Sequence, residues 1–365
     1  MRLAILGCRG IPSTYSGYET FVGELAPRLA ARGHSVTVYC RRSLFPDRPA
    51  VYRGVDLRYL PSIETKNFGT LTHTLVSLLD AVGRKFDALF VVNPGNGFHC
   101  LIPWLLRRKT AINMDGVEWK RGKWGVLARV YFKAAARAAA FFCDEIVNDS
   151  REMQRLYLEE FNTPSTYIPY GAYIQESRDP EILEKFGVRP REYYLVASRL
   201  APETIPDLIA EAFAGVETDR PLLIAGRPNY RSPLVRRLEE LSGPRVRLLG
   251  HISDPEEFRE LKCNCYAYIH GHSVGGTNPS LLEALGAGAC VLAVDVPFNR
   301  EVILDRGLYF RKDVTDLREK IQYLEDNPQA VAEFRRRAPE RIREAYTWER
   351  ITDQYEELFR KMLGG

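Results

Sequence analysis

The chain has 365 residues, 45% of them hydrophobic and 27% charged, with a formal net charge of +4. That is enough apolar material for two domains with separate cores, and it excludes a disordered or fibrous protein. The charge is uneven: residues 1–172 carry 23 Lys+Arg against 15 Asp+Glu, and residues 173–365 carry 28 against 32. A basic first half attracts phosphates, nucleic acid or anionic membrane without choosing among them.

The first element, RLAILG, is a six-residue strand-like run with no cleavage site, so it predicts neither a signal peptide nor an anchor. No stretch of the sequence is apolar for long enough to span a bilayer. The seven cysteines are odd in number, form no CxxC pair and lie mostly in apolar runs, which predicts reduced thiols in the cytosol.

Onward along the chain, β-rich runs alternate with amphipathic helical patterns: YETFVGELAPRLAARG, SVTVYCR, DALFVVN, LIPWLLRR, TAINMD and EIVNDS. The alternation predicts a parallel, doubly wound sheet. It pauses near Tyr170 to Asp179 and resumes with YYLVASR, PLLIAGR, RVRLLGH, CYAYIHGH, CVLAVD and GLYFRK, ending in consecutive helices from VTDLREKIQYLEDN to YEELFRKML. Two Rossmann-like domains follow, with function expected in the loops at the carboxyl ends of the strands, where both would face one cleft.

The first such loop, GCRGIPSTYSGYET, lacks GxGxxG, which disfavours a dinucleotide-dependent dehydrogenase. Gly17 stands just before a helix, where its amide can meet a phosphate or sugar or simply set a turn. NPGNG, Asn93 to Gly97, reads as cleft wall rather than chemistry. TAINMDGVEWKRGKW places Asp115 at a strand end, a position for a base or electrostatic stabiliser, followed by Glu118, Lys120 and Arg121 on the acceptor side. WGVLARVYFKAAARAAAFF carries Arg129, Lys133 and Arg137 at i, i+4 and i+8. That stripe fits either a solvated helix face or peripheral contact with anionic lipid headgroups.

In the second half, Arg199 and Arg227 each follow a strand and suit a diphosphate. The stretch HSVGGTNPSLLEALGAG then offers His272, Gly275, Gly276, Thr277 and Asn278 ahead of a helix predicted to begin at Pro279. The glycines can bring N–H groups close to a phosphate at the positive helix end, and Glu283, one turn in, can accept from a sugar hydroxyl. Gly-Gly-Thr also fits an ordinary strand-to-helix turn. No Asp-x-Asp occurs anywhere in the sequence, so the usual carboxylate pair for a phosphate-bridging metal is missing. CNCYAYIHGH, read as a strand, puts His270 an odd number of residues from Cys263 and Cys265 and fits no standard zinc spacing. No metal and no cofactor are therefore expected, and no nucleic-acid-binding module is present.

Together GxRGIPxxxxGxET, NMDGVEWKRGKW, IPYGA and HGHSVGGTNPSLLEA resemble glycosyltransferases of the GT-B fold, in glycosyltransferase family 4, and more narrowly bacterial rhamnosyltransferases of cell-surface polysaccharides. The resemblance covers essentially the whole chain. It implies two Rossmann-like domains facing a central cleft: residues 1–172 with the C-terminal helix 347–365 for the acceptor, and residues 173–346 for the donor. It further implies a retaining, metal-independent transfer in the cytoplasm, at the inner face of the membrane where the acceptor is lipid-linked. dTDP-L-rhamnose is the favoured donor and a lipid-linked or oligosaccharide chain the acceptor. Carried over by position, Glu283 matches the second glutamate of E-x7-E, which holds the nucleotide ribose; Gly275 stands where the first would be. Arg199 matches the diphosphate arginine, while Thr204 replaces the family's lysine five residues later and Arg227 is expected to supply that charge. Gly17 matches the first-domain phosphate glycine, and Asp115 falls where many members have a histidine. Three other readings stay open: the same reaction with a UDP-hexose, a nucleotide-sugar epimerase, and a non-catalytic nucleotide-sugar binding protein.

Overall fold

The computed structural model describes residues 1–12, 17–65, 68–120, 124–226 and 233–364. They form two compact units, Met1–Gly171 with Trp348–Gly365, and Ala172–Thr347.

In the first unit the strands are β1 (Arg2–Leu6), β2 (Ser35–Arg41), β3 (Val51–Tyr52), β4 (Val55–Leu60), β5 (Ala88–Val92), β6 (Thr110–Met114), β7 (Glu145–Asn148) and β8 (Thr166–Tyr167). The helices between them are α1 (Gly17–Ala31), α2 (Gly69–Val82), α3 (Leu101–Leu105), α4 (Val126–Phe142) and α5 (Arg151–Phe161). The strand order is β3-β4-β2-β1-β5-β6-β7-β8, parallel throughout except where the short edge strand β3 runs against β4. The central strands ALFVV and TAINM are buried at every position, as a sheet covered on both faces requires.

The second unit is a six-stranded parallel sheet ordered β11-β10-β9-β12-β13-β14, formed by β9 (Tyr194–Ala197), β10 (Leu222–Ala225), β11 (Val246–Gly250), β12 (Ala267–His270), β13 (Cys290–Val294) and β14 (Gly307–Phe310). Its helices are α6 (Pro206–Ala214), α7 (Pro233–Leu241), α8 (Pro255–Asn264), α9 (Pro279–Gly286), α10 (Pro297–Ile303), α11 (Val314–Asp326) and α12 (Pro328–Ala345). Tyr194, Val196, Phe213, Ile224, Ile269, Leu292 and Phe310 are among the residues that fill the core.

The last helix, α13 (Trp348–Met362), belongs to the first unit. Its buried Trp348, Ile351, Tyr355, Phe359 and Met362 recur at helical spacing and make one apolar stripe. Tyr355 and Phe359 enter a ring cluster in which Phe21–Tyr355, Phe90–Tyr355 and Phe90–Phe359 centroids lie 5.4, 5.2 and 5.6 Å apart. Gly171 makes room for the stripe: a Cβ there would lie 2.4 Å from the Trp348 ring.

Candidate active site

In an open parallel sheet a ligand crevice forms where successive connections leave in opposite directions. In the second unit that switch lies between β9 and β12, because β10 and β11 extend one side and β13 and β14 the other. The loops after these two strands, Ser198–Ile205 and Gly271–Asn278, therefore line it.

The two loops are fastened to each other. Gly271 lies so near the Thr204 carbonyl that a Cβ would come within 2.3 Å of its oxygen. Both the backbone N–H and the hydroxyl of Ser273 donate to the Glu203 carbonyl, each at 2.9 Å. From α10, the Asn299 amide donates to the His272 carbonyl at 3.2 Å and to that of Val294 at 2.8 Å. The sequence then turns into α9 as expected: Asn278 is the N-cap, its side chain accepting from Ser280 N at 3.0 Å, and Pro279 is the first helical residue. Of the two glycines only Gly275 has a left-handed backbone, φ +138°, so it is the one that stereochemistry demands.

Arg199 is exposed just beyond β9. Thr204 cannot stand in for a lysine: its hydroxyl donates to the carbonyls of Arg199 and Ala201, at 2.7 and 2.9 Å, and is buried in the turn. Arg227 lies outside the described residues. Thus, among the described residues, the crevice presents a helix N-terminus and the Arg199 guanidinium, a combination that can hold an anion. Glu283, on α9, is gripped by Lys262 from α8, whose ammonium donates to Oε2 at 2.8 Å. Three buried polar atoms, Ser198 Oγ, Glu203 Oε2 and His270 Nε2, have no partner among the described residues. Burial, and then the charge of neighbouring His272, hold the His270 ring far below its usual pKa, at about 3, so it is neutral at physiological pH.

CNCYAYIHGH departs from its reading as a strand. Cys263 lies in the last turn of α8 and only Ala267–His270 is extended, because the helix capped by Asp254 runs on through Asn264. Strand alternation therefore does not relate Cys263 to His270. Among the described residues no group of three or more His, Cys, Asp or Glu is placed to hold a metal ion.

In the first unit the switch lies between β1 and β5. NPGNG is its fastener: the Asn96 amide donates to the carbonyls of Val92 and Gly7, at 2.8 and 3.4 Å, and Asn93 accepts from Gly95 N at 2.9 Å. Glu19, in the GxET part of the opening motif, is 3% exposed and accepts from Arg9 N at 2.8 Å, which pins the loop after β1. Gly17 is exposed at the start of α1. Asp115 follows β6 directly; its carbonyl accepts from the Tyr18 hydroxyl at 3.5 Å, and its charge adds to burial in raising the pKa of the Tyr170 hydroxyl. Glu118 accepts from Trp124 Nε1 at 2.6 Å. Arg121 and the side chain of Lys120 lie outside the described residues.

Residues 16–171 match the family model described as a glycosyl transferase 4-like domain, and residues 179–344 the model described as glycosyl transferases group 1. The fold matches a structure of sucrose-phosphate synthase from Thermosynechococcus elongatus with a TM-score of 0.82 at 17% identity, over 100% of this chain and 99% of that one. The chain belongs to the GT-B glycosyltransferases. The fold also matches Anabaena HepE in complex with UDP-glucose, TM-score 0.77 at 14% identity, over 99% of this chain and 100% of that one. The sequence is 24% identical over 372 aligned residues to the phosphatidyl-myo-inositol mannosyltransferase of Mycolicibacterium smegmatis, covering 95% of this chain and 91% of the other.

Several residues that shape the glycosyltransferase's crevice carry no motif of their own. Lys262 and Asn299 come from α8 and α10, remote in sequence from the loop they fix, and Glu203 acts mainly through its backbone carbonyl. A separate groove, lined by Gln175, Arg191, Cys263, Tyr266 and Arg335, opens at the opposite, amino ends of the strands. The fold's ligand rule gives it no part in the chemistry.

Proposed function

We propose that this glycosyltransferase moves a sugar from a nucleoside diphosphate-sugar to a lipid-linked or oligosaccharide acceptor, with retention of configuration and without a metal. The observation that carries the reading is the crevice between β9 and β12, where Arg199 and the capped start of α9 come from loops fastened to each other and Glu283 follows on α9. In this reading Arg199 and the amides of Gly275 to Asn278 take the diphosphate and stabilise it as it departs, while Glu283 takes the nucleotide's sugar. His272 and Thr277 complete the donor side. Asp115 stabilises charge on the transferred sugar or orients the acceptor hydroxyl, which attacks from the face the diphosphate leaves; Gly17, Glu118, Lys120 and Arg121 belong to the first unit's share.

The donor we favour is dTDP-L-rhamnose, on the motifs HGHSVGGTNPSLLEA and NMDGVEWKRGKW. A UDP-hexose is the second reading, favoured by the Anabaena relatives, whose structures hold UDP and UDP-glucose. A lipid-linked acceptor gains support from the outer helices of the first unit. Trp104, Leu105, Leu106, Val126, Leu127, Val130 and Phe141 are all exposed there, interspersed with Arg107, Arg129, Lys133 and Arg137. Such a mixed face suits an anionic bilayer surface. Among the described residues no helix is long and apolar enough to cross a membrane.

Calorimetry of dTDP, UDP and GDP, with and without EDTA, tests the donor site, and release of nucleotide from the matching sugar donor in the presence of lipid-linked oligosaccharide tests transfer. Tight EDTA-insensitive binding of dTDP supports the favoured donor, and a preference for UDP moves the assignment to a hexose. Sugar inversion without an acceptor would make the protein an epimerase; binding with neither reaction would make it a carrier.

A further inference from the structure

The groove at the amino ends of the second unit's strands holds two guanidiniums that no carboxylate balances. Arg191, just ahead of β9, donates from Nη1 to the carbonyls of Cys263 and Cys265, at 2.6 and 3.3 Å. Arg335, on α12, donates from Nη1 to Cys265 and from Nη2 to Cys263, at 2.7 and 2.9 Å. Both side chains thus converge on the same two carbonyls at the end of α8. Among the described residues neither forms an ion pair: Glu176, also on the groove wall, meets neither of them, and the neighbouring Arg336 is engaged by Glu333 and Glu340.

Capping α8 does not account for the pair. Arg335 alone reaches both carbonyls, and Arg191 duplicates its bonds from a strained place. The Arg191 backbone is left-handed, φ +69°, where a glycine would sit at less cost, and its N–H donates to the Asn264 carbonyl at 2.8 Å. A helix end offers only about half a negative charge, so two guanidiniums leave an excess of more than one positive charge. Burial of the Arg191 guanidinium, and then the charge of Arg335, push its pKa below the usual guanidinium value. Nε and Nη2 of Arg191 and Nε of Arg335 make no hydrogen bond to the described residues.

Beside these charges the wall is apolar, formed by Tyr266, Ala287, Pro328, Val331 and Ala332. The Tyr266 hydroxyl is committed to the Leu324 carbonyl at 2.7 Å, so the ring is what it offers a ligand. α12 begins at Pro328 without a side-chain cap, and its positive end adds to the field. The groove has a volume of about 650 Å³. Small-molecule sites run from roughly 300 to 1,000 Å³.

We infer that this groove is a second ligand site, in which Arg191 and Arg335 take the phosphate of a small organic phosphomonoester and the wall around Tyr266 and Val331 takes its apolar body. A phosphomonoester carries about 1.5 to 2 negative charges near neutral pH, which matches the excess, and its oxygens suit the forked guanidinium donors. A lone carboxylate would balance one arginine and leave the other. The site lies at the other end of the sheet from the donor crevice, and the inference does not depend on what that crevice binds.

The test is calorimetry of phenyl phosphate on the intact protein, beside phenol and inorganic phosphate. Phenyl phosphate should bind with a dissociation constant below about 1 mM. Inorganic phosphate leaves the apolar wall unused and should bind about tenfold more weakly, and phenol should not bind. Arg191→Gln with Arg335→Gln should weaken phenyl phosphate at least about 30-fold, the loss of two charge-assisted contacts. Arg199→Ala, which strips the donor crevice of its guanidinium, should change it less than about twofold. Absence of binding to the unaltered protein overturns the inference. So does weakening by Arg199→Ala with none from the groove pair, which would put the anion in the crevice. Equal affinity for inorganic phosphate would mark an adventitious ion only, and equal affinity for phenol a plain apolar cleft; either overturns the assignment. Should the double variant fail to fold, Ala332→Glu decides. It sets a carboxylate at an exposed position of the wall and leaves the α8 carbonyls capped, so affinity should fall about tenfold, and an unchanged affinity there overturns the inference.

Discussion

The crevice of the second unit and the outer helices of the first present opposite kinds of surface. Around the crevice, hydrogen bonds of 2.7 to 3.2 Å donated by Thr204, Ser273 and Asn299 and accepted by Asn278 tie side chains to the backbone. Along α3 and α4, Leu105 is 63% exposed, Leu127 87% and Phe141 70%. A small anion is recognised by a few dipoles that do not move, whereas an extended partner is met by area. On the function proposed above, the contrast gives selectivity to one region and adhesion to the other.

The sharpest way to break that contrast is Arg199→Ala, which removes the guanidinium from the crevice. Affinity for a nucleoside diphosphate should fall about 100-fold with the fold intact, measured by calorimetry. An unchanged affinity would show that the anion is held elsewhere. Next comes Asp115→Asn, expected to lower kcat about 30-fold while leaving nucleotide affinity within about twofold, in steady-state assays beside calorimetry. Equal loss of both would make Asp115 a binding group.

A third prediction concerns pH. His270 is held at about 3 when folded and returns to roughly 6.5 when unfolded. The unfolded chain therefore takes up the proton first. This histidine's contribution is full above pH 6.5 and is lost as pH falls through the window from 6.5 to about 3, at about 1.4 kcal/mol per unit. Urea unfolding at pH 7 and pH 5 should show the second unit weakened by about 2 kcal/mol, and His270→Asn should flatten the difference. The smallest effect belongs to the exposed apolar face of the first unit. Leu105→Ser with Leu106→Ser should reduce flotation with phosphatidylglycerol vesicles about tenfold and spare nucleotide binding. Replacing Arg129, Lys133 and Arg137 by Gln should do less, since Lys133 already pairs with Glu160 at 2.9 Å.

What was legible in the sequence depended on the range of the interaction. Strand runs such as ALFVV and the start of α9 at Asn278-Pro279 are local: propensity, capping and proline stereochemistry act within a few residues. The sequence placed Arg199 and the Gly-Gly-Thr loop at strand ends for the same reason. It could not show that Glu283 is paired with Lys262, which reaches it from another helix, 21 residues away. Glu19 and Asn96 carried conspicuous motifs yet proved to be loop fasteners; in sequence, a buried hydrogen bond to a backbone N–H or carbonyl looks the same as a ligand contact. The apolar face escaped notice because a leucine in a helical pattern is indistinguishable from core until its neighbours are placed.

The return of α13 to the first unit bears on how the molecule is made. During vectorial synthesis residues 172–347 emerge as one uninterrupted stretch and can complete their sheet at once. The first unit emerges earlier yet must wait, because Tyr355 and Phe359 close the ring cluster around Phe21 and Phe90 only after the second unit's last residue has been made. The half of the protein that is translated first is the half that matures last, and until it does its exposed aromatic core is the part most in need of a chaperone.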